Sequence, residues 1–535
     1  MNRLKHTLQR FPVYPVLLGI YPVQFLWLNN FEQVPYFAVV TSFCIAISLS
    51  ILTFLLTWII VRNRNKAGAI SGSGLFLFFI FGHIYNLIAG LEIANFDLGR
   101  YSYLSILFLL VFISLTWKTC RTKSTLDTLT GSLNLITLVM VLLLIVQIGW
   151  RMIQAEQIII QTSKASAAHS ENIKKNQQSK DRDVYYILID RYSRSDILER
   201  AGIDQEPVIQ GLKDLGFIIP DCTQSNYQGT ELAMTSTFYM DYLDNLNVPI
   251  DEMKNWATSS MLYRLIHTNP VFDEFHSMGY QIITYKSSYP FIDFNDSDIY
   301  YDIDASEPFY QKIESINFQY MFMNTTPVVI INTLVRNNSE KYQWLPTMLY
   351  RFINPKDQQF GDPYFSQYKK NLFDLQKLRE APKIPGRKFF YAHLMITHKP
   401  FTFQENGNFQ WPPQQDYEAY LENVKYMNTQ MIPLVKTILD QYPDDNKPII
   451  IIQGDHSSEQ KADRFKIMNA YYLPGINPEK VDKYITPVNT FRLIFTEYFD
   501  KDYPLIENRT QGYDDDISLT DLVNYPPTCA SSSNP

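Results

Sequence analysis

The stretch that decides the fold class is VYYILID at residues 184–190, a short run of β-branched, aromatic and aliphatic side chains that ends on Asp190. Such a run is typical of a central buried strand with the acid at its carboxyl end. The pattern returns in KFFYAHLMI (388–396), which leads into THKPF, and in PIIIIQ (448–453), which leads into GDHSSE. Because these runs alternate with helical segments such as 423–442, the sequence predicts an α/β domain with a mainly parallel sheet flanked by helices.

Each predicted strand is followed by side chains that suit a functional site: Asp190, then His398, then the pair Asp455 and His456. In open parallel sheets, sites form beyond the carboxyl ends of the strands, so we expect these side chains to meet. Asp190, Asp455 and His456 supply two hard carboxylate oxygens and one imidazole, a ligand set suited to one divalent cation, Mn²⁺, Zn²⁺ or Mg²⁺. An acid or histidine at one strand end is more often a helix cap or an ordinary surface residue. Their joint occurrence predicts the metal site.

The first 151 residues contain five apolar stretches, each about long enough to cross a hydrocarbon layer of roughly 30 Å as a helix. They are residues 12–29, 36–61, 74–91, 101–117 and 132–150. Nine Lys and Arg residues lie before the first stretch and after the second and fourth, whereas the two intervening loops carry only Arg100. By the positive-inside rule, this distribution places the amino terminus in the cytoplasm and everything after Arg151 outside it. The sequence therefore predicts a multi-pass membrane protein.

Four segments follow from this pattern: a five-span transmembrane domain (1–151), a juxtamembrane helix and linker rich in Gln, Ser, Lys and Asn (152–183), an extracytoplasmic catalytic domain (184–508) and a flexible tail (509–535). The formal net charge of −7 offers no basic surface, so nucleic acid is not expected as a partner. Cys222 and Cys529 lie in the polar part of the chain and can form a disulfide, although the sequence alone does not decide this pairing.

The segments VYYILID, NYQGTELAMTS, THKPF and IIIIQGDHS resemble, in this order, motifs of lipoteichoic acid synthases and phosphoethanolamine transferases. These enzymes belong to the alkaline-phosphatase and sulfatase superfamily and share the plan of five spans and an external sulfatase-like domain. The resemblance covers residues 184 to about 500, with no recognisable motif in much of 250–380. It implies an alkaline-phosphatase-like fold and transfer or hydrolysis at a phosphate ester.

The resemblance also implies roles for individual residues. Thr230, which follows Gln228 and Gly229, matches the family's nucleophile, which also binds the metal. Asp190, Asp455 and His456 match the other metal ligands, and His398 matches a histidine that faces the substrate. The fit departs in two places: lipoteichoic acid synthases carry Glu at the position of Asp190, and Lys399 stands where the family has an aromatic residue. The substrate is therefore not implied by the resemblance.

The chemistry explains these residue types. A threonine hydroxyl is a weak nucleophile at neutral pH, and coordination to a divalent cation lowers its pKa so that it can attack phosphorus. A protonated His398 can donate to a nonbridging or leaving oxygen. Thr235, Ser236 and Thr237 are rival hydroxyls, but hydroxyls within a helix commonly bond back to preceding carbonyls. Thr230 is favoured because Gly229 permits a sharp turn at a helix start, where backbone amides favour an anionic group.

Two functional hypotheses remain. The first is a metal-dependent transferase or phosphodiesterase that acts on a membrane lipid headgroup or an envelope polymer through a covalent threonine intermediate. The second is a catalytically inactive scaffold or sensor with the same fold, which the retained nucleophile and ligands disfavour. Sulfatase chemistry on Cys222 is disfavoured too, because the stretch from Cys222 to Asn226 lacks the Pro and Arg of the C-x-P-x-R motif.

Overall fold

The computed structural model describes residues 11–31, 34–88, 92–93, 96–97, 101–169, 182–248, 256–308, 312–330, 363–414, 416–459, 461–512 and 523–529. The described helices are α1 (Tyr14–Asn29), α2 (Tyr36–Val61), α3 (Arg64–Ile88), α4 (Tyr101–Arg121), α5 (Asp127–His169), α6 (Ser195–Arg200), α7 (Glu206–Asp214), α8 (Thr230–Tyr239), α9 (Trp256–His267), α10 (Pro270–Ser277), α11 (Ile313–Asn324), α12 (Pro363–Glu380), α13 (Tyr417–Leu439) and α14 (Thr490–Phe499). The described strands are β1 (Glu92–Ile93), β2 (Phe96–Asp97), β3 (Val184–Ile189), β4 (Gln281–Tyr285), β5 (Ile299–Tyr301), β6 (Lys388–Leu394), β7 (Phe401–Phe403), β8 (Phe409–Gln414), β9 (Ile449–Gly454), β10 (Asn469–Tyr472), β11 (Gln511–Gly512) and β12 (Val523–Asn524).

The chain divides into two compact units. Unit 1 consists of Met1–Glu156 together with Ser306–Ser366, and unit 2 consists of Gln157–Ala305 together with Gln367–Pro535. Unit 1 therefore includes the predicted transmembrane domain and also a segment that lies, in sequence, inside the predicted catalytic domain.

Unit 1 contains the apolar helices. Among the described residues, four helices are long and apolar enough to cross a membrane: Tyr36–Val61, Arg64–Ile88, Tyr103–Arg121 and Asp127–Ile153. Helix α1 covers the first predicted span but has 16 residues, slightly short of the roughly 17 to 25 that a span usually needs. Four of the five predicted spans are thus found by length and composition.

Two helix boundaries differ from the predicted ones. Helix α3 begins at Arg64, ten residues before the predicted start at residue 74, because small and polar residues such as Gly68 and Ser71 continue the helix without adding to its hydropathy. Helix α5 runs without interruption to His169, so the predicted juxtamembrane helix continues the last apolar helix. Residues 170–181 of the predicted linker lie outside the described residues.

Small residues let the helices of unit 1 approach closely. A Cβ atom on Gly19 of α1 would lie 2.2 Å from Ser50 Oγ on α2, and one on Gly72 of α3 would lie 2.5 Å from the Tyr14 ring. Small side chains at crossing points are the usual means by which apolar helices pack in a membrane, where van der Waals contact supplies much of the association energy.

Unit 2 is built on a six-stranded sheet in the order β10-β9-β3-β6-β4-β5. Strand β3 pairs in parallel with both β6 and β9, and β4 pairs in parallel with β5 and β6. Only the edge strand β10 is antiparallel to its neighbour, β9. The predicted mainly parallel α/β domain is therefore confirmed.

Helices cover both faces of this sheet, which is why its central strands are apolar throughout. On β3, the alternate side chains of Tyr185, Ile187 and Ile189 pack in one cluster with apolar residues of α13. Tyr186 and Leu188 point to the opposite face, where their cluster includes residues of α8 and α14. A strand buried on both sides must be apolar at successive positions, so the run VYYILI has no period of two.

The predicted tail is partly folded. Cys222 and Cys529 form a disulfide, and β11 pairs with β12 in antiparallel register. Arg194 also donates to the Thr528 carbonyl at 2.6 Å. The disulfide left open by the sequence is present, so Cys222 is not a free thiol.

Candidate functional site

The site lies at one edge of the sheet in unit 2, where three neighbouring parallel strands end. In the register of the sheet, Ile189 at the end of β3 is paired with Leu394 of β6 and with Gly454 of β9. The residues that follow these strands, including Asp190 and Asp455, are therefore brought to the same edge. This is the arrangement expected from the strand pattern.

Asp190, Asp455 and His456 form a compact group of possible metal ligands. All three are buried, and each offers one ligand atom within 4.8 Å of those offered by the other two. The Asp190 Oδ1 atom is buried without a hydrogen-bond partner among the described residues. A buried carboxylate oxygen without a donor is costly, and a cation at this position would satisfy it.

The histidine of this group is oriented for ligation by its backbone contact. His456 Nδ1 lies 2.9 Å from the Ser457 carbonyl oxygen, to which it can only donate. In the neutral ring this contact leaves the lone pair on Nε2, the atom that can then bind a metal. The donor set of two carboxylates and one imidazole fits Zn²⁺, Mn²⁺ or Mg²⁺.

Thr230 is the first residue of α8, and its hydroxyl lies beside the ligand group. Gly229 precedes it with φ of 90° and ψ of 149°, a conformation that L side chains rarely adopt. The Thr230 Oγ1 atom donates to Asp455 Oδ2 at 2.7 Å. The sharp turn predicted from Gly229 thus places this hydroxyl against one of the candidate ligands.

The rival hydroxyls are engaged in local helix contacts. Thr235 Oγ1 donates to the Glu231 carbonyl at 2.6 Å, and Thr237 Oγ1 donates to the Ala233 carbonyl at 2.7 Å. Ser236 Oγ donates to the carbonyl of Asp241 at 2.8 Å. Thr235 and Thr237 therefore make the bonds to preceding carbonyls that are expected of hydroxyls inside a helix, whereas Ser236 bonds forward to a residue beyond the end of α8.

His398 follows β6 and lines the same cavity as Thr230 and His456. Its Nδ1 lies 2.6 Å from the Lys399 carbonyl oxygen, so Nε2 is left for a ligand or a proton. The cavity has a volume of about 370 Å³ and is lined by Asp190, Arg191, Gln228, Gly229, Thr230, Glu231, Tyr289, Met395, His398, His456 and Arg464. Every predicted site residue lines this cavity except Asp455, which contacts the lining residue Thr230 through a hydrogen bond.

Arg191 is a site residue that the sequence pattern did not single out. Its backbone is left-handed, with φ of 58°, a strained conformation for a side chain other than glycine that costs about 1 to 3 kcal/mol. In return, its amide donates to Asp455 Oδ1 at 2.9 Å. Its Nε lies 3.9 Å from Asp190 Oδ1, so the guanidinium borders both the ligand group and the cavity.

His393 is the second residue that the sequence pattern missed. It lies within β6, and its Nε2 is 3.1 Å from Asp190 Oδ2. Burial acts to raise the pKa of Asp190, but the neighbouring His398, His393 and His456 outweigh it and hold this pKa well below its usual range. A histidine inside the apolar run KFFYAHLMI was the available signal, because an isolated polar residue in a buried strand requires a partner.

Glu231 adds a second carboxyl group to the cavity wall, next to the candidate nucleophile. Burial raises the pKa of Glu231 above its ordinary value. Together with Arg191 and Arg464, it gives the cavity both acidic and basic groups around the ligand cluster.

No protein-family profile matches the sequence, and no curated protein is detectably similar to it. Among solved structures, the chain is similar to the periplasmic domain of EcEptC from Escherichia coli at 12% identity and a TM-score of 0.40, covering 65% of this chain and 94% of that one. The same domain is also known in complex with zinc.

Two further similar structures come from the families that the motifs resemble. The lipooligosaccharide phosphoethanolamine transferase EptA from Neisseria meningitidis is 11% identical with a TM-score of 0.35, over 91% of this chain and 95% of that one. The lipoteichoic acid synthase LtaP from Listeria monocytogenes is 12% identical with a TM-score of 0.36, over 69% of this chain and 81% of that one. Because these TM-scores lie below 0.5, we base the proposed function on the geometry of the site.

Proposed function

We propose that this chain is a metal-dependent transferase or phosphodiesterase that acts on a phosphate-bearing component of the cell envelope through a covalent intermediate on Thr230. The observation that carries the proposal is the position of the Thr230 hydroxyl, 2.7 Å from Asp455 Oδ2 and beside a buried group of three possible metal ligands. Nucleophilic attack on phosphorus needs a hydroxyl, an acceptor for its proton and a cation site, and all three occur together here.

Asp190, Asp455 and His456, with the Thr230 oxygen, would hold one divalent cation, Mn²⁺, Zn²⁺ or Mg²⁺. When bound, such a cation supplies Lewis-acid stabilisation of the negative charge that develops on oxygen during phosphoryl transfer. The orphaned Asp190 Oδ1 and the orientation of the His456 ring support this assignment.

Three side chains, those of Thr230, Asp455 and His398, carry out the proposed chemical steps. The Thr230 hydroxyl proton leaves by way of Asp455 Oδ2, its hydrogen-bond acceptor, to solvent in the cavity, so that Asp455 remains a carboxylate while Thr230 Oγ1 attacks phosphorus. The bond from phosphorus to the leaving alcohol breaks, and the leaving oxygen receives a proton from His398 Nε2. A second alcohol, or water, then attacks the phosphothreonine ester and gives its proton to His398 Nε2. The bond from phosphorus to Thr230 Oγ1 breaks, and a proton from solvent restores the hydroxyl.

Arg191 and Arg464 border the cavity and carry the positive charge that a phosphodiester requires. A guanidinium can donate two parallel hydrogen bonds to the nonbridging oxygens of a phosphate. We assign these two side chains to holding the phosphate group while Thr230 attacks it.

The substrate is proposed to be a lipid headgroup or a membrane-linked polymer, because the catalytic residues belong to a chain with several membrane-spanning helices. We further propose that α1 is a fifth span. Four spans would return the chain to the cytoplasmic side, whereas five place unit 2 outside, as the distribution of basic residues predicts. The catalytic domain is then 184–508 without the segment Ser306–Ser366.

The test is mass spectrometry of the purified protein after incubation with native lipids and a divalent cation. We expect a mass increase on the peptide that contains Thr230, corresponding to a phosphorylated or headgroup-modified residue. The increase should disappear in Thr230→Ala and persist in Thr235→Ala. Unmodified Thr230 under turnover conditions, with product formed, would rule out the covalent route.

A further inference from the structure

The segment Ser306–Ser366 interrupts the catalytic domain in sequence but belongs to the unit that contains the apolar helices. It follows β5 and leads into α12, and the chain changes unit after Glu156, after Ala305 and again after Ser366. A loop that only covered the substrate cleft would be grouped with unit 2. The described part of the segment, residues 312–330, contains α11.

Helix α11 packs its apolar side into the helix bundle of unit 1. Phe318 and Phe322 are 1% and 5% exposed, and they belong to one buried cluster with Val23, Ala38, Val39, Ala46, Leu75 and Phe79 of helices α1 to α3. The Phe322 and Phe79 rings lie 5.8 Å apart. Asn317, by contrast, is exposed.

The contact extends to the backbone. The Gly82 amide of α3 donates to the Thr325 carbonyl at 2.8 Å. A Cβ atom on Gly82 would lie 2.4 Å from the Asn324 carbonyl oxygen and 2.7 Å from Thr325 Cα, distances that side-chain motion cannot relieve. Residue 82 must therefore be glycine for the end of α11 to sit where it does.

We propose that residues 313–330 are a docking element through which the catalytic part of the chain binds the helix bundle non-covalently, independently of the covalent connection through α5. Aromatic side chains in an apolar pocket and a backbone hydrogen bond at a glycine form a specific interface, of the kind found between membrane helices. Resting on the proposed function, this attachment gives the catalytic site a preference for phosphate esters carried in the same membrane.

The test separates the two connections. A recognition sequence for a site-specific protease is placed between Lys175 and Asn176 in the full-length protein, and an affinity tag is placed on the amino terminus. After cleavage in mild detergent, we expect most of the 176–535 fragment to be captured with the tagged 1–175 fragment. Loss of the carboxyl-terminal fragment from the capture would overturn the proposal.

Matched variants show whether the contact described here is responsible. Gly82→Leu alters only the 1–175 fragment, so it cannot misfold the other one, and we expect it to reduce capture at least five-fold. Gly149→Leu is its control, because no atom lies within 4 Å of a Cβ built at that position. On the 176–535 fragment, we expect Phe322→Asp to reduce capture by the tagged fragment. Asn317→Asp is its control and should leave capture unchanged. Equal capture of Gly82→Leu and Gly149→Leu would also refute the docking element.

An activity comparison distinguishes failure of this inference from failure of the proposed function. The quantity compared is the ratio of turnover of a phosphodiester lipid in vesicles to turnover of a soluble phosphodiester. This ratio should fall in uncleaved Gly82→Leu and should equal the wild-type value in Gly149→Leu. Unchanged ratios would overturn the membrane preference. If neither protein turns over either substrate, the proposed function fails, and the capture result still decides the attachment.

Discussion

Replacing Thr230 with alanine tests the catalytic proposal most directly, because it removes the attacking oxygen and leaves Asp190, Asp455 and His456 in place. Deleting a nucleophile from a cooperative site usually lowers kcat by about three orders of magnitude or more. We expect the same loss of turnover with a soluble chromogenic phosphodiester and with native lipids, since the step that is lost precedes any difference between acceptors.

The effect on stability can be worked out from the contacts of this hydroxyl. Thr230 is 6% exposed, and its Oγ1 is one donor to the Asp455 carboxylate, which keeps the backbone amides of Arg191 and His456 as donors at 2.9 and 2.8 Å. Losing one hydrogen bond to a buried charged group costs about 1 to 3 kcal/mol. The expected change is a decrease of a few degrees in Tm, far too small to explain a thousand-fold loss of turnover by unfolding.

The controls come from the same helix. Thr235→Ala removes a hydroxyl that bonds only to the Glu231 carbonyl in the described structure, so it should retain most activity. Thr230→Ser should restore part of the turnover and the covalent adduct. Retained activity in Thr230→Ala with loss in Thr235→Ala would mean that the nucleophile has been misassigned. If neither substitution changes any phosphate-ester reaction, the enzymatic proposal is wrong and a scaffold or sensor is the better account.

Three further predictions concern the cation, pH and topology. His456→Ala should lower bound divalent metal, measured by elemental analysis of purified protein, together with activity, because an incomplete ligand set cannot hold the ion; full metal content would exclude His456 as a ligand. Burial raises the pKa of Asp374 to about 6 despite its ion pair with Lys370. Between about pH 4 and 6 the folded state therefore binds this proton more tightly than the unfolded state, so the stability contributed by Asp374 falls as pH rises from about 4 to about 6 and is constant above that. Thermal unfolding of Asp374→Asn should then show a smaller loss of Tm than wild type as pH rises from about 4 to about 6, and equal losses would refute the assignment. A reporter fused after Asp183 should be active only outside the cytoplasm, and cytoplasmic activity would overturn both the five-span topology and the envelope substrate.

The local pattern of the sequence was enough to predict the elements on which the site is built. Apolar runs that end on an acid or lead into one identified β3 and β9, and parallel pairing brings the ends of such strands to one edge whatever lies between them in sequence. Gly229 before Thr230 indicated the sharp helix start that places the hydroxyl. These features depend on neighbouring residues, so they can be read along the chain.

Contacts between distant residues were decided only by the tertiary structure. The apolar run around His393 indicates that this histidine needs a polar partner, but the identity of the partner, Asp190, follows from the register of β3 against β6, which no spacing reveals. The left-handed Arg191 likewise contacts a residue 264 positions away, because its backbone amide donates to Asp455 Oδ1.

The same reason explains the largest departure from the sequence-based domain plan. Helix α11 is one of the two helices that the structure describes between β5 and β6, and its hydropathy does not indicate which unit it packs against. Its place in unit 1 follows from side-chain and backbone fit at Phe322 and Gly82. Hydrophobicity along the chain determines that such a helix must be buried, while shape complementarity in the folded protein determines where.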